Sequence, residues 1–334
     1  MTEFNDKQPL DHHPESEIGN RVSHFTTPNP DMSPLIILAI AFGLFILGNI
    51  VGSGLMIALA KMEGLDFQVV LKNLTENSPV GTRNFMRMVM LINHLFSFII
   101  PASLTAWIAY KNNAFKALRL QKFPKLSLIG LGFLMLVVSI PLVQYAYQLN
   151  KMIPLPQWMM DLENSTGNLL EAIIAKENFY EIIVNVLLIA VIPGIGEELM
   201  FRGIIQQQFG RLLKNEHVTV WLSAAFFSAI HMQFEGFLAR MILGAVLGYL
   251  LIWTRSLWVP IIVHFLNNGL QVLMIYVMNI KPSDMQKIEE GDKMHWTLGL
   301  ASLMLVIMVG RYIRDHYYVP EETVQNDDST YSKF

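Results

Sequence analysis

The 334-residue chain contains no cysteine. That absence excludes disulfides, thiolate metal centres and a cysteine nucleophile together, and leaves the redox environment unspecified. Charged residues are scarce as well, at 15% of the chain against about 25% in ordinary soluble domains. The formal net charge is -3 and no basic tract with interleaved aromatics occurs, so nothing points to a nucleic-acid partner. No internal repeat is visible. No aspartate lies within any long hydrophobic run, which argues against a pair of catalytic aspartates. Residues 1–33 have no apolar core and carry Pro9, Pro14, Pro28 and Pro30, so they read as a disordered, solvated tail rather than a signal peptide. Residues 317–334 read as a second polar tail.

What the chain has is long apolar runs. Hydrophobic residues make up 53% of it, and the mean hydropathy is +0.40. A membrane-spanning helix needs about 20 mostly apolar residues. Eight stretches meet or approach that length: Pro34–Ala60, Met88–Tyr110, Leu126–Leu149, Tyr180–Phe201, Val218–Met232, Phe237–Trp253, Leu257–Ile280 and Trp296–Ile313. The reading is an all-α polytopic membrane protein, with a transmembrane domain over residues 34–316 between the two tails. The fifth and sixth stretches are short, and are expected to be tilted, extended into water, or partly buried among the others.

Orientation follows from basic residues in short loops. Lys111, Lys116, Arg119, Lys122 and Lys125 lie between the second and third stretches with no acid among them. The next loop leans acidic, with Asp161, Glu163, Glu171 and Glu177 against Lys151 and Lys176. Eight crossings place the basic loop, the Arg211/Lys214 loop and both termini on one side, expected to be the cytoplasmic side of a plasma (inner) membrane. The loop containing Trp158 is then external and expected to lie along the interface.

An ionisable group in lipid costs about 2.5–3.5 kcal/mol on insertion scales, so each one needs an explanation. The first and third stretches carry none. The fourth reads Pro193-Gly194-Ile195-Gly196-Glu197-Glu198, followed by Arg202 and Gly203; the fifth contains Phe227 and His231; the seventh contains His264, Asn267 and Asn268. Glu198 and Arg202, four apart, meet on one helical face. Their pairing leaves Glu197, about 100° further round, without an intrahelical partner. A desolvated carboxylate of that kind tends toward general-base strength near neutral pH. His264 and Asn268 are also four apart and can face one cavity, although Asn267 is an alternative amide. If the fourth and fifth stretches form an antiparallel hairpin, Glu197 and His231 are equidistant from Lys214 at its tip. His264 lies about 13 Å beyond Arg255 at helical rise, a matching depth.

The series Glu197-Glu198-x-x-x-Arg202, Phe227-x-x-x-His231 and His264-x-x-x-Asn268 resembles, in order, the three motifs of the CAAX-protease and bacteriocin-processing (CPBP, or Abi) intramembrane peptidases. The resemblance covers roughly residues 180–275, and Phe201, Gly203 and Pro260 also look like the family. It implies that Glu197 with His231 activates water, that His264 and Asn268 stabilise the oxyanion, and that Arg202 holds Glu198. The substrate implied is a membrane-anchored peptide or protein, reached from the lipid bilayer. The residue chemistry agrees, because amide hydrolysis needs a base for water and donors aimed at developing negative charge.

Competing readings stay open at this stage. Glu197, His231 and His264 offer two imidazoles and a carboxylate for zinc with one open position. The same scaffold suits a non-proteolytic immunity or binding protein, or a proton-coupled transporter using the Glu/His groups as a relay. His94, alone in the second stretch, reads as a packing residue. The Gly52-Ser53-Gly54 run and Gly244-x-x-x-Gly248 read as close helix-packing faces. The methionines read as adaptable filler. Gly194 and Gly196 after Pro193 are expected to loosen the helix there and give a substrate room.

Overall fold

The computed structural model describes residues 31–174, 179–280 and 294–317. The two expected tails therefore lie almost wholly outside the described residues. Within them every regular element is helical and none is a strand. The helices are α1 (Pro34–Met62), α2 (Phe67–Asn73), α3 (Val80–His94), α4 (Ile100–Tyr110), α5 (Leu126–Lys151), α6 (Gln157–Ile174), α7 (Phe179–Val186), α8 (Ile192–Glu198), α9 (Gln206–Leu213), α10 (Glu216–Ile230), α11 (Phe237–Thr254), α12 (Trp258–Met278) and α13 (Trp296–Tyr317). Three π-helical segments join some of these into longer rods: π1 (Leu95–Ile99) between α3 and α4, π2 (Leu187–Val191) between α7 and α8, and π3 (Leu199–Ile205) between α8 and α9.

Seven helical rods are long and apolar enough to cross a membrane. The chain is an integral membrane protein. The eighth expected span, α10, has only 15 residues, about 22 Å at helical rise, which is why it falls short of that length. It still pairs with α11 as an antiparallel hairpin. One boundary differs from the hydropathy reading: the second rod begins at Val80 and so takes in Arg83 and Arg87. The fourth, Phe179–Leu213, continues well beyond Phe201. The loop holding Trp158, expected to be external, is an 18-residue helix, α6.

The π segments have a local cause. Pro101 and Pro193 each lie two residues beyond π1 and π2. A proline inside a helix lacks the N–H that would bond the carbonyl four residues back, and its ring pushes that carbonyl aside. The helix takes up the strain as a wide turn just upstream. Pro141 in α5 is handled differently: Ser302 of α13 donates to Val138 O at 2.5 Å and accepts from Leu142 N at 3.1 Å, re-satisfying the interrupted backbone.

One end of the bundle gathers the basic loops. Arg119 O accepts from Leu257 N at 3.2 Å, Leu120 O from the Trp258 indole at 3.0 Å, and Met32 O from Arg211 at 3.2 Å. Tyr317 packs in the same cluster as Leu128, so the last described helix ends there too. From that end α9 leads through π3 to the acidic pair at the end of α8, and α12 carries His264 inward.

Candidate active site

Glu197 and Glu198 sit at the C-terminal end of α8, a seven-residue piece bounded by π2 and π3. Both are buried, at 5% and 0% exposure. Glu198 pairs with Arg202 as the four-residue spacing requires: Arg202 Nη1 donates to Glu198 Oε1 at 2.8 Å. The guanidinium also reaches across to α11, where Nη2 donates to Gly244 O at 2.9 Å. Glu198 has a second partner that the motif spacing does not show. His264 Nδ1 lies 2.8 Å from the same Oε1, and a carboxylate beside an imidazole nitrogen fixes that nitrogen as the N–H.

Glu197 has no intrahelical partner, as expected, yet it is not alone. His231 Nε2 stands 3.6 Å and His264 Nε2 3.8 Å from its Oε2. His94 Nε2 stands 3.6 Å from its Oε1. These separations are ion-pair range, just beyond direct hydrogen bonding, and suit contact through one water. His231 Nδ1 is 2.8 Å from Phe227 O and His94 Nδ1 3.2 Å from Met90 O. Carbonyls only accept, so in both rings Nδ1 carries the proton. Three imidazoles therefore turn their Nε2 toward one carboxylate.

His94, read as a packing residue, does bond Met90 O and pack against Phe98, and it also stands beside Glu197. The residue carries no motif of its own, and it meets Glu197 only because π1 and α3 pack against α8. Its one visible sign was an ionisable ring within a hydrophobic run, the same sign that drew attention to His231.

Phe227 explains the first position of its motif. Its ring packs edge-on to His231 at 4.8 Å, to His264 at 6.0 Å and to Phe201 at 5.1 Å between centroids, and the Arg202 guanidinium lies 4.6 Å over it. One aromatic side chain separates the catalytic candidates from the lipid-side core and holds both imidazole planes.

Asn268 is placed where π2 needs it. Pro193 leaves Ile189 O, four residues back, without its helical donor. Asn268 Nδ2 donates to that oxygen at 3.2 Å, and its Oδ1 accepts from Asn267 at 3.0 Å. One of its two amide hydrogens is therefore committed to the backbone.

The room expected at Gly194 and Gly196 is filled. A Cβ on Gly194 would stand 3.2 Å from the backbone nitrogen of Phe265, and one on Gly196 2.9 Å from Ile99 Cγ1. These glycines bring α8 against α12 and π1, and so bring Glu197 to its three imidazoles. Gly244 and Gly248 serve as expected, against Ala224, Phe227 and Gln206. In α1 the close approach to Phe96 is made by Gly48 and Gly52, while Gly54 has nothing near it.

His231 stands at the turn from α10 to α11, non-helical backbone flanked by short helices of about 22 and 27 Å. Within lipid such backbone needs partners from the protein. They are present: Phe234 N donates to Glu163 Oε2 at 2.9 Å, Asn150 Nδ2 to Phe234 O at 2.8 Å, and Leu238 N to Asn150 Oδ1 at 2.9 Å. Trp158 of α6 packs edge-on against Phe234 at 5.5 Å.

A second buried polar cluster went unread in the sequence because it straddles the edges of two hydropathy windows. Arg87 Nη1 meets Glu181 at 2.7 Å, its Nε donates to Asn185 at 2.9 Å, and its Nη2 to Ile173 O at 2.8 Å. It fastens the C-terminal end of α6 to α3 and α7.

For zinc, the two imidazoles and carboxylate of His231, His264 and Glu197 are suitable ligand types, but among the described residues no three His, Asp or Glu side chains are disposed to hold a metal ion.

Residues 179–270 match the family described as Type II CAAX prenyl endopeptidase Rce1-like. Rce1-like proteins are of the CPBP family, so the match agrees with the family whose motifs residues 180–275 resemble. The match takes in the acidic pair, Arg202, Phe227, His231, His264 and Asn268, and leaves His94 outside. The chain is also 26% identical over 129 residues to a protein of Bacillus subtilis (strain 168) described as uncharacterized protein YpbD, which covers 37% of this chain and 61% of that protein. No solved structure matches.

Proposed function

We propose that this CPBP-type protein is an intramembrane endopeptidase that hydrolyses a peptide bond of a membrane-associated substrate, with Glu197 as the base. The observation that carries the reading is the convergence of three imidazoles on one buried carboxylate with no intrahelical partner. In the reaction Glu197 takes a proton from water, aided by His231. The hydroxide oxygen bonds to the scissile carbonyl carbon as the C=O pair moves onto oxygen. His264 donates to that oxyanion through Nε2 as an imidazolium, the form that Glu198 at its Nδ1 favours, and Asn268 donates through the amide hydrogen not held by Ile189. The C–N bond then breaks, and the proton on Glu197 passes to the departing nitrogen.

The substrate is proposed only as far as its peptide bond. An isoprenoid group is not part of the proposal. The proposal puts the site toward the cytoplasmic side of a plasma (inner) membrane, with both termini cytoplasmic; the basic loops gathered at one end of the bundle support it.

The test is a comparison of new protein N-termini in host membranes carrying the wild-type protein or Glu197→Gln, which keeps the shape and removes the base. The wild type should generate N-termini that the variant does not. Identical sets would end the assignment of Glu197, and no new N-termini with either would favour a non-proteolytic binding or immunity protein. Cleavage is further expected to survive treatment of the purified protein with a zinc chelator; loss of activity together with stoichiometric zinc would replace the glutamate mechanism by the zinc version.

A further inference from the structure

Glu197 has two carboxylate oxygens, and the CPBP motifs address one. His231 and His264 both stand at Oε2, while Oε1 faces His94. His94 lies on α3, outside the matched residues 179–270. Its ring is held on three sides. Nδ1 donates to Met90 O, the ring face rests against Phe98 at 5.8 Å between centroids, and the residue closes α3 at the start of π1. Turning the ring over would break the Met90 bond, so Nε2 is the atom it offers to Glu197.

We propose that His94 is a positioning residue for the hydrolysis: it holds Oε1 of Glu197 so that Oε2 is presented between His231 and His264. The inference rests on the assignment of Glu197 as base. The terminal torsion of a glutamate is broad and nearly two-fold, so an unheld carboxylate swings between orientations. A general base must lie within hydrogen-bond or one-water reach of the proton it removes. Misplacement by about 1 Å costs on the order of 100-fold in rate. Across the 3.6 Å gap Nε2 holds Oε1 as an N–H donor, which takes a ring protonated at both nitrogens because Nδ1 already donates to Met90 O. Gly196 admits Phe98 and Ile99 to α8, and Gly48 and Gly52 admit the backbone and side chain of Phe96 to α1, which together set π1, and hence His94, at this distance.

Two substitutions separate positioning from packing. His94→Phe keeps the ring volume and the Phe98 contact and removes both nitrogens. His94→Gln gives up the ring and returns an N–H donor near the place of Nε2. The readout is the rate at which new N-termini accumulate in host membranes, per amount of folded protein, with the melting temperature of each variant in detergent micelles. His94→Phe should melt as the wild type does and cleave about 100-fold more slowly, whereas His94→Gln should keep most of the rate. If His94→Phe fails to fold, His94→Leu replaces it in the same comparison. Wild-type cleavage by the apolar variant overturns the proposal, as does an equal loss in both variants. Glu197→Gln is run alongside: if it cleaves, the assignment of the base has failed; if it is silent while His94→Phe cleaves normally, only the role of His94 has.

Discussion

Arg202 shows how much one side chain can hold. Its fork joins Glu198 of its own helix to the Gly244 carbonyl of α11, with 1% of the residue exposed. Removing it leaves a carboxylate in an apolar interior facing only His264. Arg202→Ala is therefore expected to cost about 3–5 kcal/mol, the usual penalty for breaking a buried pair from one side. Arg202→Lys should recover only part, because an ammonium cannot address both acceptors with the same geometry. Denaturant unfolding in micelles measures both, and an Ala variant as stable as the wild type would refute the account. Asn268 offers a second case. Asn268→Leu strands Ile189 O and should cost about 1–3 kcal/mol in stability; no loss would mean that the Ile189 carbonyl has found another donor. The Glu198–Arg202 pairing was legible from spacing because both partners lie on one helix. The Asn268–Ile189 bond was not, since it depends on a carbonyl freed by Pro193 on a different rod.

At the scale of elements, short pieces do the placing. α8 is only seven residues long, yet it carries both acids, and its glycines are consumed by neighbours rather than by a substrate. Gly194→Ala should destabilise by about 1–3 kcal/mol through overpacking against the Phe265 backbone, seen as a lowered melting temperature. The sequence marks this helix by Pro193 and its glycines, but cannot say whether the space serves a ligand or a neighbouring helix. α6 is the other placing element, since Glu163 fastens the turn that follows His231. Burial raises the Glu163 carboxyl above its ordinary value, with Arg240 and the backbone N–H groups of Glu235 and Phe234 pulling against that. A raised folded-state value favours the protonated acid in the native protein. That contribution is complete below the ordinary carboxylate range and is lost as pH rises through the elevated value. Glu163→Gln stays neutral and can still accept from Phe234. It should flatten this part of the stability curve from the ordinary carboxylate range upward, and parallel melting curves for variant and wild type would count against it.

For the whole molecule, hydropathy located the seven rods long enough to cross a membrane among the described residues, and the shorter α10 with them, because lipid demands long apolar runs and little else. It misjudged ends, where Arg83, Arg87 and Glu181 sit buried in one another's company. Such groups look like water-facing flanks to any window that averages. The absence of cysteine makes the topology directly testable, because single-cysteine variants carry no background. Lys122→Cys, in the basic loop, and Met152→Cys, exposed beyond α5, should react with a membrane-impermeant maleimide from opposite faces. Labelling of both from the same face would overturn the arrangement of the passes.

The way the three rings are fastened has a consequence for charge movement. A proton that reaches Glu197 can hop to an imidazole, but the far nitrogen of His94 and of His231 ends on a main-chain carbonyl, which passes no proton onward. The far side of His264 ends on a carboxylate already closed by a guanidinium. Each branch is a cul-de-sac. Among the described residues these hydrogen bonds suit returning a proton within one chamber, as hydrolysis needs, better than relaying it between leaflets.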